Sequence, residues 1–511
     1  MATELNSVPD VGTAPPVPGF RLLSLRGLGV CLLAVVAFQL ALEHPSLGSA
    51  VIIYLGCLYD LRLVSTARQA FYAGLLVGLG VFVPQMTFLW TIFGPAAIPL
   101  WLVLAFFHGV FLLLLHRVEY RFGTQWARWM APVLWCGIEY FRSEVWWLRF
   151  AWLTAGSPLV DVMWSGWLSP GIYGLGFLTF LLVSLGNFLP RAVVPRTIIC
   201  ISLFLVTLVP LRVFNFWVGD RPQIVNPPTL RVAGVQMEFP GPPEVLFALN
   251  RLAKARPEAQ LLMLSEYTFD GPVPDSIRAW CRRNQKWLVA GGKAAIESDV
   301  LPTANAESTP TRSLQPGTTS AVDARYFNTA YVISTNGEVV FTQAKSRPIQ
   351  FFKDGEPATQ QRVWNSPWGR IGIAICYDVS YRRVMDELVR QGAQALLIPT
   401  MDVEQWGRHE HVLNARMARL RATEYGLPVF RVASSGISQL IDSNGRETAI
   451  AGFPGSGEII AGNLILDAGT EPPRLPFDRW LAPICSVCTG ATLIWLSVLA
   501  VWERFSRKSA V

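Results

Sequence analysis

The chain has 511 residues, of which 51% are hydrophobic and only 15% charged, with 19 Trp and a mean hydropathy of +0.35. That balance excludes an ordinary soluble enzyme and points to several membrane spans beside a polar portion long enough for a domain of its own. The net charge of +7 carries no Lys/Arg-rich block of the kind a nucleic-acid footprint needs, and the eight cysteines, mostly inside apolar runs, make no disulfide framework.

Residues 1–20 are rich in Pro, Val and small polar residues and are expected to be disordered; they lack the charged start and cleavage site of a signal peptide. Residues 21–214 read as seven transmembrane helices, at about 22–42, 47–64, 69–91, 94–116, 128–142, 171–189 and 197–214. The 128–142 run is short and carries Glu139 and Arg142, three apart near its end. These charges read either as a structural helix pair or as a lipid-headgroup contact. The Trp-rich stretch 143–170 has the composition of an interfacial belt or a short re-entrant segment. An eighth span at about 482–502 precedes a tail, 503–511. Basic residues flank the spans at Arg21, Arg26, Arg62, Arg68, Arg117, Arg121, Arg128, Arg191, Arg196, Arg504, Arg507 and Lys508. With eight spans all of them fall on one face, the cytoplasmic one, and residues 228–468 face outward.

That outward segment reads as a layered α/β domain with a mixed sheet. The predicted elements are a strand at 230–236, a helix at 243–255, a strand at 260–264, a helix at 274–284 and a strand at 287–292. A Ser/Thr/Pro-rich excursion comes next, at 298–320. Strands at 328–334 and 338–343 flank Asn336-Gly337, a hairpin signal. The apolar run from Gly369 to Asp378 reads as a buried strand with Cys376 at its end. After it come a helix at 381–391, a strand at 394–398, a helix at 404–425 and strands near 428–433 and 437–441.

Glu266 and Cys376 stand at strand ends and Lys345 comes directly after the hairpin, the places where open α/β folds carry chemistry. A thiol with an ordinary pKa of about 8.5 needs a base and a cation to act as nucleophile. A glutamate takes the proton, and a lysine favours the thiolate and steadies an oxyanion. No His lies near these positions in sequence, which weighs against a Cys-His protease. Cys485 and Cys488 form a C-x-x-C without a second ligand pair, and no metal or cofactor site is expected.

The chain resembles the carbon–nitrogen hydrolase (nitrilase) superfamily, whose Glu-Lys-Cys triad falls on Glu266, Lys345 and Cys376. With eight spans it is similar to the apolipoprotein N-acyltransferase family. Trp135, Glu139 and Arg142, then Gly171-Ile172-Tyr173-Gly174, resemble that family's membrane motifs. Cys376-Tyr377-Asp378 resembles its Cys-Tyr-Glu. The run from Arg421 to Gly426, Arg431 and Gly436-Ile437-Ser438 resemble its segment after the catalytic strand. The resemblance implies an αββα sandwich on the outer face of a bacterial inner membrane. It also implies acyl transfer from a phospholipid, through a Cys376 thioester, to the α-amine of a diacylglyceryl-cysteine apolipoprotein.

Several positions depart from the family pattern. Ser265 replaces a Pro before the first Glu, and Lys353 stands where a supporting Glu is expected, leaving Asp354 or Glu356 to supply the carboxylate. The loop Met401-Asp402-Val403-Glu404-Gln405-Trp406 is altered, and a Gln-His pair becomes Leu413-Asn414. Tyr377 and Asp378 read as supports, and Phe351, Phe352 and Trp406 as a lipid-side entrance, with core anchoring as the alternative for the two Phe. Two other functions stay open: a membrane-tethered amidase or nitrilase in which water replaces the amine, and an inactive homologue that binds lipid or lipoprotein.

Overall fold

The computed structural model describes residues 23–161, 170–186, 227–296, 325–455, 457–466 and 475–508. The expected N-terminal disorder, the span at about 197–214 and the Ser/Thr/Pro-rich excursion lie outside the described residues.

The N-terminal part is a helical bundle: α1 (Leu25–Glu43), α2 (Val51–Asp60), α3 (Ala67–Gln85), α4 (Phe88–Phe93), α5 (Ala97–Phe122), α6 (Thr124–Tyr140) and α7 (Gly171–Gly186). Among the described residues five helical stretches are long and apolar enough to cross a membrane: Leu25–Glu43, Pro45–Leu63, Ala67–Gln85, Phe88–Phe122 and Asp478–Glu503. The last belongs to the closing helix of the chain, Asp478–Lys508. In α3, Gly74 and Gly78 form a G-x-x-x-G face against α5. A Cβ on Gly74 would lie 2.3 Å from the His108 carbonyl oxygen, and one on Gly78 2.7 Å from the Ala105 Cα. Backbones approach this closely only where side chains are missing, the usual basis of helix pairing in lipid.

The second part has two six-stranded sheets. The first contains β1 (Thr229–Val235), β2 (Leu261–Met263), β3 (Trp287–Ala295), β4 (Tyr326–Ile333), β5 (Val339–Ala344) and β12 (Ile459–Ile465), in the order β12-β1-β2-β3-β4-β5. The second contains β6 (Val363–Ser366), β7 (Gly369–Ile373), β8 (Ala395–Thr400), β9 (Val429–Ala433), β10 (Ser438–Ile441) and β11 (Glu447–Ala451), in the order β11-β10-β9-β8-β7-β6. Both sheets are mixed; β1-β2-β3 and β7-β8-β9 are their parallel cores.

Strand periodicity accounts for the layering. In the first sheet Val232, Leu261, Met263, Val289 and Val332 face the second sheet. Their neighbours Ala233, Leu262, Leu264, Leu288 and Ile333 face a separate core with helices α8 (Pro242–Ala255) and α9 (Asp275–Asn284). Successive side chains point to opposite faces, so each strand serves two interfaces. Helices α10 (Arg382–Arg390) and α11 (Arg408–Tyr425) pack on the second sheet through Val384, Leu388, Leu413 and Leu420. The result is a nitrilase-like α/β domain with helix–sheet–sheet–helix layers.

The helix expected over 404–425 is broken at Gly407, whose φ of +86° no helix accommodates. A single turn, Glu404–Trp406, precedes it, and α11 begins at Arg408. The strand expected to carry Cys376 ends at Ile373, and Cys376 opens a 3₁₀ turn, Cys376–Ser380.

The two parts are tied together by buried polar contacts. Trp152 Nε1 donates to Ser380 Oγ at 2.9 Å, and the Tyr381 hydroxyl donates to the Arg149 carbonyl at 2.7 Å. At the start of α12, the closing helix Asp478–Lys508, Arg479 pairs with Asp386 of α10 and Glu424 of α11, each at 2.9 Å. The returning helix is thereby locked to the α/β domain before it enters the bundle, where Gly137 of α6 lets it approach: a Cβ there would lie 2.4 Å from the Cys485 carbonyl oxygen.

Candidate active site

Glu266 lies just beyond β2, where the chain leaves the sheet through Tyr267 in a left-handed conformation (φ +53°). The bend fits because position 291 on β3 is glycine; a Cβ there would sit 2.6 Å from the Glu266 Cα. Lys345 comes directly after β5, with its backbone N–H on the Asn328 carbonyl at 2.7 Å. Both side chains are almost wholly buried. The Lys345 Nζ lies 2.8 Å from Glu266 Oε1 and 2.7 Å from Asp354 Oδ2, one cation between two carboxylates.

Asp354 therefore takes the place beside Lys345. Its Oδ1 accepts from the Tyr267 hydroxyl (2.8 Å) and Asn328 Nδ2 (2.9 Å), and its Oδ2 from the Ile349 N–H (2.8 Å). Glu356 lies on the surface and pairs with Arg325. Of the two carboxylates, Asp354 is buried with the lysine and Glu356 is not. Asn328 also donates to Glu266, bridging both carboxylates.

Cys376 is buried with φ +47°, a strained conformation for a non-glycine residue, and such strain clusters at functional sites. Met401 joins it to Glu266: the Met401 N–H donates to Glu266 Oε2 at 2.8 Å, and the Met401 carbonyl lies 3.8 Å from Cys376 Sγ. Asp378 fastens the adjoining loops, accepting from the backbone N–H groups of Ile375, Ser346 and Arg347.

The electrostatics are set by this packing. Burial pushes Glu266 above the usual carboxylate range; Lys345 opposes that and Asp354 reinforces it. Burial works against the charge on Lys345, but Asp354 and Glu266 hold its ammonium well above the ordinary range. The Cys376 thiol is pushed far up by burial and by Glu266, with Lys345 pulling the other way. The resting site therefore holds a neutral thiol. Lys345 favours the thiolate, but burial and the neighbouring carboxylates outweigh its pull.

Cys376 and Tyr377 open onto an apolar cavity roofed by the bundle through Met86, Leu89, Phe93 and Leu104. Phe351, Phe352 and Trp406 line its other side. Phe352 stacks edge-on with Phe93 and Trp406, and Phe351 with Phe93 and Trp147, so this loop contacts membrane-side aromatics. Glu139 and Arg142 lie behind the wall. Glu139 Oε1 accepts the Ala155 N–H at 2.8 Å, and Arg142 donates to the Trp152 carbonyl at 3.2 Å. They brace the loop carrying Trp152.

Asn328 and Tyr267 are site residues that sequence reasoning does not single out; Met401, Asp402, Asn414 and Arg431 appear there only as parts of family segments, with no role in the site assigned to them. Asp402, Glu410 and His411 lie close enough to bind a cation. The Asp402 oxygens are already taken by Asn414 Nδ2 (2.7 Å) and Arg431 (2.6 Å), so a guanidinium supplies the positive charge and the trio does not fit a metal.

Two family models fit this architecture. Residues 32–186 match the apolipoprotein N-acyltransferase N-terminal domain, and residues 242–463 match the carbon–nitrogen hydrolase domain. The apolipoprotein N-acyltransferase of Geobacter metallireducens is 24% identical over 493 residues, covering 84% of this chain and 88% of that protein. That of Brucella melitensis is 30% identical over 207 residues, 35% of each chain. The crystal structure of a carbon–nitrogen hydrolase from Helicobacter pylori aligns with a TM-score of 0.37 at 15% identity, over 47% of this chain and 89% of that one. The two family domains occur in this order and the Geobacter relative matches along most of its length: the chain is similar to the apolipoprotein N-acyltransferases and is an acyltransferase built on a carbon–nitrogen hydrolase domain.

Proposed function

We propose that the chain moves a fatty acyl group from a phospholipid to the α-amine of an apolipoprotein's N-terminal diacylglyceryl-cysteine, by way of a Cys376 thioester. The observation that carries this reading is the position of Cys376 between two environments. On one side is the buried Glu266–Lys345–Asp354 cluster, and on the other an apolar cavity walled by the helical bundle. A soluble amide needs no such wall; an acyl chain does.

In this mechanism Glu266 takes the Cys376 proton as sulfur attacks the ester carbonyl. Lys345 Nζ and the Tyr377 backbone N–H steady the oxyanion. The ester C–O bond breaks, Glu266 returns the proton to the departing lysophospholipid oxygen, and a thioester remains. Amine attack then forms the amide, the C–S bond breaks, and the amine's proton passes through Glu266 to the Cys376 sulfur. Phe351, Phe352 and Trp406 guide the acyl chain, and Tyr377 and Asp378 hold the Cys376 turn in place. The placement of Arg and Lys beside the spans supports a catalytic domain on the outer face of a bacterial inner membrane.

The test supplies the purified protein with radiolabelled phosphatidylethanolamine and a synthetic diacylglyceryl-cysteine peptide. Labelled N-acyl peptide is the expected product. Free fatty acid alone, whether or not peptide is present, would identify a hydrolase instead.

A further inference from the structure

The helix facing the nucleophile presents two acceptor atoms that the mechanism above leaves unused. Asn414 is 2% exposed and its Nδ2 lies 3.9 Å from Cys376 Sγ. Asp402 accepts from the same nitrogen at 2.7 Å, which fixes the amide: nitrogen faces the carboxylate, and Oδ1 has no hydrogen-bond partner. Glu410, one turn earlier and 5% exposed, has an Oε2 without a hydrogen-bond partner; its nearest basic atom is His411 Nε2 at 4.0 Å. Both residues line the cavity that holds Cys376. Four residues apart, they share one face of α11, about 6 Å apart along its axis. A buried acceptor without a donor is costly, about 1–3 kcal/mol, and is expected where a ligand supplies the donor.

We infer that Asn414 and Glu410 form the subsite for the acceptor's primary amine, each accepting one N–H so that the nitrogen lone pair faces the thioester carbonyl. The inference rests on the acyltransferase reading. A phospholipid ester has no N–H at its reacting carbonyl, whereas an amine has two, and these two unfilled acceptors belong to residues that line the same cavity as the sulfur. Burial, with Asp402 adding and Arg431 opposing, holds Glu410 well above the usual carboxylate range. A neutral carboxyl receiving a free amine keeps the amine nucleophilic in an apolar cavity, where separated charges are unfavourable. The nitrogen bonds to the thioester carbon, the C–S bond breaks, and the proton lost by nitrogen passes through Glu266 to Cys376. Glu410 keeps its own proton throughout.

The experiment separates the half-reactions of the full-length protein in phospholipid nanodiscs, by intact mass. Wild type and Glu410→Leu are first acylated from phospholipid, and decay of the adduct is then monitored with and without the diacylglyceryl-cysteine peptide. Acylation of Glu410→Leu within about threefold of wild type, with peptide-dependent decay slowed about 10-fold or more and restored in part by Glu410→Gln, is the expected pattern; the fold-changes correspond to the loss of one buried hydrogen bond. Equal peptide-dependent decay in Glu410→Leu and wild type overturns the subsite, as does equal slowing of both halves. Absence of any adduct on wild type would instead overturn the acyl-enzyme reading on which the subsite rests.

Discussion

Replacing Asp354 by Asn tests whether this carboxylate supports the triad. Four donors converge on it: the Tyr267 hydroxyl, Asn328 Nδ2, the Ile349 N–H and the Lys345 ammonium. An amide offers one acceptor oxygen and an NH₂ that must face donors, so at least one pair is lost whichever way it turns. Lys345 keeps Glu266, which places the cost at the lower end of the range for a broken buried pair, about 3 kcal/mol. The catalytic effect is separate. Asp354 helps to hold Glu266 above the usual carboxylate range, so without it Glu266 becomes a weaker base for the thiol. We expect acyl-enzyme formation to slow about 10²–10³-fold. Single-turnover intact mass measures the rate, and thermal unfolding in detergent reports the fold. Glu356→Gln is the control. It removes a surface pair, so unfolding should move by no more than about 0.5 kcal/mol and the rate should stay near wild type. A fast Asp354→Asn with a dead Glu356→Gln would refute the assignment.

The acid limb of the acylation rate should lie above the ordinary carboxylate range, because Glu266 must be ionised to accept a proton and its pKa is raised. Asp354→Asn should move that limb downward; a wild-type limb in the ordinary range would contradict the packing argument. Arg479→Ala should destabilise the chain by about 3–5 kcal/mol in equilibrium unfolding, since it strips a buried cation from Asp386 and Glu424. Glu424 is held down at about 2 against its burial, by Arg479 and Arg421. A depressed folded pKa gives stability that is present above the unfolded value, near 4.5, and lost as pH falls toward 2. Arg479→Ala should flatten that dependence, and an unchanged acid slope would exclude the network as its source.

Periodicity explains what the sequence disclosed and what it hid. Short apolar runs marked β1, β2 and β8, and Asn336-Gly337 marked the hairpin, because each is a local signal; Gly337 has the positive φ that the turn requires. β6, β11 and β12 escaped notice. β6 has four residues ending before Pro367, and β11 exposes both Thr448 and Ile450, so its apolar pattern is weak. β12 is defined by its distant partner β1, against which it pairs over seven residues. At the site, the residue types and strand endings drew attention to Glu266, Lys345 and Cys376. Asn328 sits inside an ordinary-looking strand, and only the fold brings its side chain to the cluster; the family segments hold Asp402 and Arg431 without revealing that they pair. The choice between Asp354 and Glu356 depended on a loop turning at Gly355, φ +79°, which spacing alone does not reveal.

The central claim is the thioester on Cys376. Full-length protein incubated with phospholipid and without acceptor should gain the mass of one fatty acyl group. Neutral hydroxylamine should remove it, and Cys376→Ala should never show it. An unmodified wild-type mass after exposure to several phospholipids, or an adduct that persists in Cys376→Ala, would contradict the account.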